Sequence, residues 1–214
     1  IVLAIGANRM AKQNAIIREF TVTEAAGSLN TIISDKTGTI TEGILTVKNI
    51  FIPNHKEYQV TGEGFETKGK IKHNDSEVSP EKDKLLGKLI QIAQYCNDVS
   101  IEKEDGEAKF SGDPTEIAIK VFSKKGSSQN KDSDQIKIID DLPFNSEQKY
   151  RATLVEYPDN KRKIFVVGAP EKILSMSSKI MNKNGGSSLT KDIKEAITSK
   201  IEEISSQAMR VIGS

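Results

Sequence analysis

Tryptophan is missing from the 214 residues, aromatics together make up 5%, and there is a single cysteine, Cys96. So few rings argue against a nucleic-acid surface built by stacking bases on aromatics. One cysteine leaves nothing to bridge within the chain, which excludes a disulfide framework and fits a reducing compartment. Cys96 reads instead as a helix-core residue. Charge of one sign is also lacking: 31 Lys+Arg against 30 Asp+Glu leaves +1, so there is no general pull toward nucleic acid or an anionic membrane. Two isolated histidines, His55 and His73, and one cysteine make no metal-ligating cluster. No apolar run approaches the roughly 20 residues a membrane helix needs. "IVLAI" at the start carries neither an initiator Met nor a signal-peptide pattern. With its abrupt close at "RVIGS", the chain reads as a piece of a longer protein.

What is present is enough apolar sequence, 36% against 29% charged, for one large domain or two small ones. Apolar spacing predicts a short amphipathic helix over 9–19, then a buried strand at "TIIS", 31–34. "LTVKNIFI" (45–52) alternates as a strand, with "YQVTG" (58–62) as its hairpin partner, and 62–80 reads as a loop. Helices are expected over 79–96 (Ser79 as cap, Pro80 at the first position), over 113–126 (Asp113 as cap, Gly126 as terminator), over 170–177 and over 190–209. Strands are expected at 136–142, 151–157 and 162–167, with polar connectors at 123–134 and 182–188.

The segment "SDKTGTIT" (34–41) concentrates chemistry. An apolar run delivers Asp35 to the place where open α/β sheets bind ligands. Gly38 lets backbone N–H groups approach an anion, Thr hydroxyls add donors, and Lys36 adds positive charge. A carboxylate ringed by phosphate-binding groups suggests covalent catalysis, with Asp35 accepting a phosphoryl group. The position two residues on, where haloacid-dehalogenase phosphatases carry a second acid for turnover, is Thr37. An acyl phosphate there would hydrolyse slowly and persist.

Asp-Lys-Thr-Gly-Thr-Ile-Thr resembles the signature of P-type ATPases, and the resemblance runs along nearly the whole chain. "SGDPTEIAI" (111–119), "LPFNSEQKY" (142–150) and "GAPEKIL" (168–174) are similar to nucleotide-domain motifs of the branch that includes calcium and sodium/potassium pumps, and "MRVIG" (209–213) to its return hinge. The resemblance implies ATP and Mg²⁺ as cofactors. It implies Asp35, Lys36, Thr37 and Thr39 as catalytic residues, with Asp35 and Thr37 also on the metal. Asp113, Glu116, Phe144, Lys149, Gly168 and Arg210 would line the nucleotide site, Phe144 stacking on adenine. The family's usual lysine before Gly-Ala-Pro-Glu is replaced by Val167, which predicts weakened nucleotide binding; Lys163, on the same strand face but about 13 Å away, cannot substitute. "GFETKGKI" (64–71) satisfies Gly-x4-Gly-Lys, but Ile71 stands where a P-loop has Ser or Thr, and it is read as a loop.

The expected fold class is mixed α/β and α+β: the N-terminal piece of a haloacid-dehalogenase-like Rossmann domain carrying an inserted nucleotide-binding domain, an antiparallel sheet flanked by helices. The expected divisions are 1–47 for the phosphorylation-domain segment, 48–206 for the nucleotide domain and 207–214 for the return hinge. The function implied is the ATP-binding and phosphoryl-acceptor region of an ion-translocating enzyme at the cytoplasmic face of a membrane, inactive on its own. Its partners would be a cation carried by membrane helices outside this chain, and the actuator and remaining phosphorylation domains, with no nucleic acid. The alternatives are a haloacid-dehalogenase-type soluble phosphatase and a non-enzymatic nucleotide-binding module.

Overall fold

Alternating side chains and two amphipathic helices organise the larger part of the chain. The computed structural model describes residues 2–19, 26–104, 107–126, 135–182 and 185–214. It divides into two units, Ile1–Gly43 and Ile44–Ser214.

In the first unit α1 spans Val2–Ala11. This is earlier than the helix expected over 9–19, because Asn14 takes a left-handed conformation (φ 61°) that ends the helical path. The strand expected at 31–34 is not formed: Ile32 and Ile33 are 83% and 95% exposed. A strand exists only through a neighbour's N–H and C=O groups, and none pairs with this segment among the described residues of the unit.

The second unit opens with β1 (Asn49–Phe51), β2 (Glu57–Val60), β3 (Ile71–His73) and β4 (Ser76–Glu77), an antiparallel sheet in sequential order. The β1–β2 hairpin is as expected, whereas β3–β4 lies in the segment read as a loop. Its turn is made by Asn74 and Asp75, both at positive φ, which suits a tight hairpin. Helices α2 (Lys84–Tyr95) and α3 (Pro114–Gly126) pack together between this sheet and a second one. That second sheet is β7 (Lys137–Asn145), β8 (Tyr150–Glu156) and β9 (Arg162–Gly168), again antiparallel and in order. Leu86, Ile90 and Ala93 of α2 and Phe122 of α3 meet Ile50, Tyr58, Val60 and Ile71 of the first sheet. One turn on, Ile92, Tyr95 and Cys96 meet Val155, Phe165 and Val167 of the second. Helix α2 therefore buries two faces, and Cys96 is fully enclosed, as expected of a core residue.

The start of α2 differs from expectation: the cap is Asp83, whose Oδ1 accepts the N–H groups of Leu85 and Leu86, rather than Ser79. Hairpin β5 (Ser100–Glu104) and β6 (Glu107–Ser111) was not foreseen. Hairpin β10 (Lys179–Asn182) and β11 (Gly185–Ser188) replaces an expected loop. Helices α4 (Pro170–Met176) and α5 (Lys191–Ser206) lie where expected, α5 capped by Thr190. Most of the 123–134 connector falls outside the described residues. The observed class is mixed α/β with antiparallel sheets, and no helix among the described residues is long and apolar enough to cross a membrane.

Candidate functional site

In the first unit the 34–41 segment is a closed loop. The N–H groups of Ile40 and Thr41 both donate to the Lys36 carbonyl at 3.0 Å, and the Thr41 hydroxyl adds a third bond at 3.2 Å. Gly38 sits at φ 77°, a conformation a side chain would strain. The Asp35 carboxylate is exposed; its Oδ1 accepts the Thr37 N–H at 3.3 Å, and its Oδ2 has no hydrogen-bond partner among the described residues. Asp35, Lys36, Thr37 and Thr39 are thus brought together by the loop itself, all exposed.

In the second unit the residues expected around a nucleotide gather at one end of the β7–β8–β9 sheet. Phe144, on β7, is 56% exposed, beside the bulge between Leu142 and Asn145. An aromatic held in water without a core to fill is a free stacking surface. In the tight turn that follows, Asn145 Oδ1 accepts the Glu147 N–H and its carbonyl accepts that of Lys149, which is left-handed at φ 61°. The Lys149 carbonyl in turn accepts the Ala169 N–H at 2.9 Å, which ties Lys149 to Gly168. Gly168 also pairs with Gly213, its N–H donating at 3.0 Å and its carbonyl accepting at 2.9 Å, so the 209–213 segment runs alongside. Arg210 Nη1 donates to Thr115 Oγ1 at 2.8 Å, at the start of α3. There Asp113 caps the helix, accepting the Thr115 N–H at 2.8 Å.

Both carboxylate oxygens of Glu116, on the first turn of α3, accept a hydrogen bond. Oε1 accepts from Arg151 Nη1 at 2.6 Å and Oε2 from the Asp98 N–H at 2.7 Å. Arg151 Nη2 donates to Asp141 Oδ2 at 2.6 Å, and the Thr153 hydroxyl to Asp141 Oδ1 at 2.5 Å. Burial alone would push the Asp141 carboxyl up, but the bonds from Arg151 and Thr153 outweigh it and hold it below its ordinary range. Burial likewise opposes the Arg151 charge, and the two carboxylates more than restore it. Arg151, Asp141 and Thr153 were not foreseen. The signal was there: in "YRATLVE" the core-facing positions are Arg151, Thr153 and Val155, and an arginine in such a register requires partners.

One sequence expectation changes. Val167 does not stand at a pocket mouth: it is 8% exposed, packed with Cys96, Val155 and Phe165, and directly across from Arg151 on the same sheet face. Lys163 is occupied elsewhere, its ammonium 4.4 Å from the Tyr157 ring centre. The Gly-x4-Gly-Lys loop wraps a side chain rather than a phosphate. A Cβ on Gly69 would meet the Thr61 carbonyl at 2.6 Å and the Lys125 stem at 2.9 Å, while Lys70 pairs with Glu77 at 2.7 Å. A cleft of about 1440 Å³ has Thr115, Val167 and Arg210 in its lining, but it is mostly apolar, and Phe144, Lys149 and Glu116 lie outside it.

The chain is 34% identical over 99% of its length to a calcium-transporting ATPase of Bacillus subtilis, covering 24% of that protein. To calcium-transporting ATPase 1 of Saccharomyces cerevisiae it is 30% identical over all of its length, covering 22%. To the sodium/potassium exporting P-type ATPase cta3 of Schizosaccharomyces pombe it is 30% identical over 99%, again covering 22%. The chain thus spans about a quarter of the length of the curated relatives it matches. Residues 85–214, which carry α2 and α3, the β7–β9 sheet and the cluster around Phe144, Glu116 and Gly168, match the family model described as P-type ATPase, cytoplasmic domain N, and the chain belongs to that family.

Proposed function

We propose that this chain is the ATP-binding and phosphoryl-acceptor region of a cation-transporting P-type ATPase, working at the cytoplasmic face of a membrane through an aspartyl-phosphate intermediate. Residues 1–47 would belong to a phosphorylation domain of haloacid-dehalogenase type, 48–206 to the nucleotide domain and 207–214 to the return hinge. The observation that carries the reading is the exposed ring of Phe144 at the sheet end that also holds Lys149 and Gly168.

Adenine stacks on Phe144, which is worth roughly 1–3 kcal/mol per base. Glu116 faces the base, Asp113 the ribose, and Lys149 and Arg210 the phosphates, while Gly168 keeps the strand end low enough for close approach. A carboxylate oxygen of Asp35 then attacks the γ-phosphorus, the bond from that phosphorus to the β–γ bridging oxygen breaks, and ADP leaves with the electron pair. Lys36 and the hydroxyls of Thr37 and Thr39 stabilise the charge on the transferring group. The exposed Asp35 carboxylate and the Thr37 carbonyl are hard oxygen donors that fit Mg²⁺. Bound magnesium supplies charge neutralisation between phosphate and carboxylate, which at about 4 Å would otherwise repel by roughly 4 kcal/mol at an effective dielectric of 20. Thr37 offers no second acid to activate water, so the phosphoenzyme persists long enough to be coupled to transport.

Titrating the chain with ATP tests the first half. Amide shifts should cluster at Phe144, Glu116 and Gly168, with a Kd in the high micromolar to millimolar range, about −4 to −6 kcal/mol. Phe144→Ala should remove most of the affinity, and shifts clustering elsewhere would refute the site. For the second half, the full-length protein is incubated with γ-labelled ATP and Mg²⁺ and quenched in acid. Hydroxylamine-sensitive label should appear and vanish in Asp35→Asn; label that survives the substitution removes Asp35 from the chemistry.

A further inference from the structure

Arg151 is a buried cation whose arrangement a packing role does not explain. Its side chain is 3% exposed on a core-facing position of β8, between two carboxylates from different elements, Glu116 of α3 and Asp141 of β7. Both terminal nitrogens are engaged at 2.6 Å, and Nε is buried without a hydrogen-bond partner among the described residues. An orphaned donor in a core is a cost that an apolar side chain would avoid, so something other than packing favours the guanidinium. What it achieves is visible in Glu116. One oxygen is held by the arginine fork and the other by the Asp98 N–H, so the carboxylate is pinned at both ends. Each oxygen keeps a further lone pair, and the group can only accept.

We propose that Arg151 is a positioning residue that sets the base preference of the nucleotide site: by holding the Glu116 carboxylate, a hydrogen-bond acceptor, in one orientation, it favours a purine with a 6-amino group over one with a 6-oxo group. The inference rests on the reading that Glu116 faces the base. A 6-amino group donates to such a carboxylate. A 6-oxo group opposes its own lone pairs to it and leaves a desolvated acceptor unpaired, the arrangement by which a site rejects a near-isostere. Without the fork, Glu116 and Asp141 lose the cation between them, Glu116 is free to turn away from the base, and discrimination fades.

The test measures Kd for ATP and for ITP, which carries oxygen at the 6-position, on the wild-type chain and four variants, with folding followed by circular dichroism. Wild type should favour ATP by about tenfold or more, the size expected of one bond to a charged partner. Arg151→Met and Glu116→Gln should each bring the ratio to within about twofold of unity. Arg151→Lys, which keeps the charge but not the fork, should fall between. Thr153→Val, which removes a bond to Asp141 and none to Glu116, should lower stability and leave the ratio unchanged, as a purely structural network would not require of Arg151. If Glu116→Gln collapses the ratio while Arg151→Met keeps it, the proposal is overturned and the placement of Glu116 stands. If neither moves it, that placement fails and takes the proposal with it. Should Arg151→Met not fold, Arg151→Lys decides: a ratio equal to wild type overturns the role of the fork.

Discussion

Replacing Gly168 by alanine should damage both fold and site, for a reason that is steric. Gly168 is not among the residues at positive φ, so alanine meets no backbone strain there. A Cβ, however, would overlap the Lys149 carbonyl and come within 2.6 Å of the Tyr150 Cβ and 2.7 Å of its Cα. All three are backbone or backbone-fixed, and none can turn aside, so β9 must move away from β8 at the register pair Tyr150–Gly168. Overpacking of this kind costs about 1–3 kcal/mol. The same movement weakens the two bonds to Gly213, at about 0.5–1.5 kcal/mol each. The sum is about 2–6 kcal/mol, which at roughly 2–4 °C per kcal/mol for a chain of this size lowers Tm by about 5–20 °C. Thermal unfolding followed by circular dichroism reads the effect, and an ATP titration should show weaker binding as Lys149 is displaced. A Tm within about 2 °C of wild type would refute the reasoning, since the strands would then not be apposed as closely as the structure has them.

Asp83 carries a pH-dependent contribution. Burial pushes its carboxyl up, but bonds from Tyr58 and His55 and from the Leu86 N–H outweigh it and hold it at about 2. A folded-state value below the unfolded one of about 3.9 stabilises above pH ~4 by on the order of 2–3 kcal/mol, and the contribution is lost as pH falls toward 2. Urea unfolding at pH 6 and pH 2.5 should show Asp83→Asn weaker at pH 6, with a smaller acid-induced loss than wild type; equal losses would contradict the assignment. Val167→Lys should destabilise by about 3 kcal/mol or more, because it forces an ammonium into the Cys96–Val155–Phe165 cluster beside Arg151. It should not tighten ATP binding, and a tighter Kd in a folded variant would mean that the strand faces the other way.

The residues proposed for the site could be named from the sequence because they belong to short local motifs. Phe144 and Lys149 lie on one turn, Asp113 and Glu116 on one helix start, and Asp35 through Thr39 on one loop. Arg151 was not legible as a partner of Glu116, because 35 residues separate them and only the packing of α3 on β8 brings them together. The cap of α2 was misread for a related reason. Ser79–Pro80 satisfies the local rule for a helix start, yet Asp83 is also gripped by Tyr58 of β2 and by His55 of the turn before it, which decides where the helix begins.

By itself the sequence determined the strands β7 to β9, the helices α3, α4 and α5 and the residues gathered in the DKTGT loop. Those follow from side-chain periodicity, capping residues and glycine placement, which act over a few neighbouring residues. Tertiary structure alone decided which face each strand buries and which charges meet. It turned Val167 inward and set Arg151 between Glu116 and Asp141. It left the apolar run before Asp35 unpaired within its unit, since a strand forms only where another chain segment can take its hydrogen bonds.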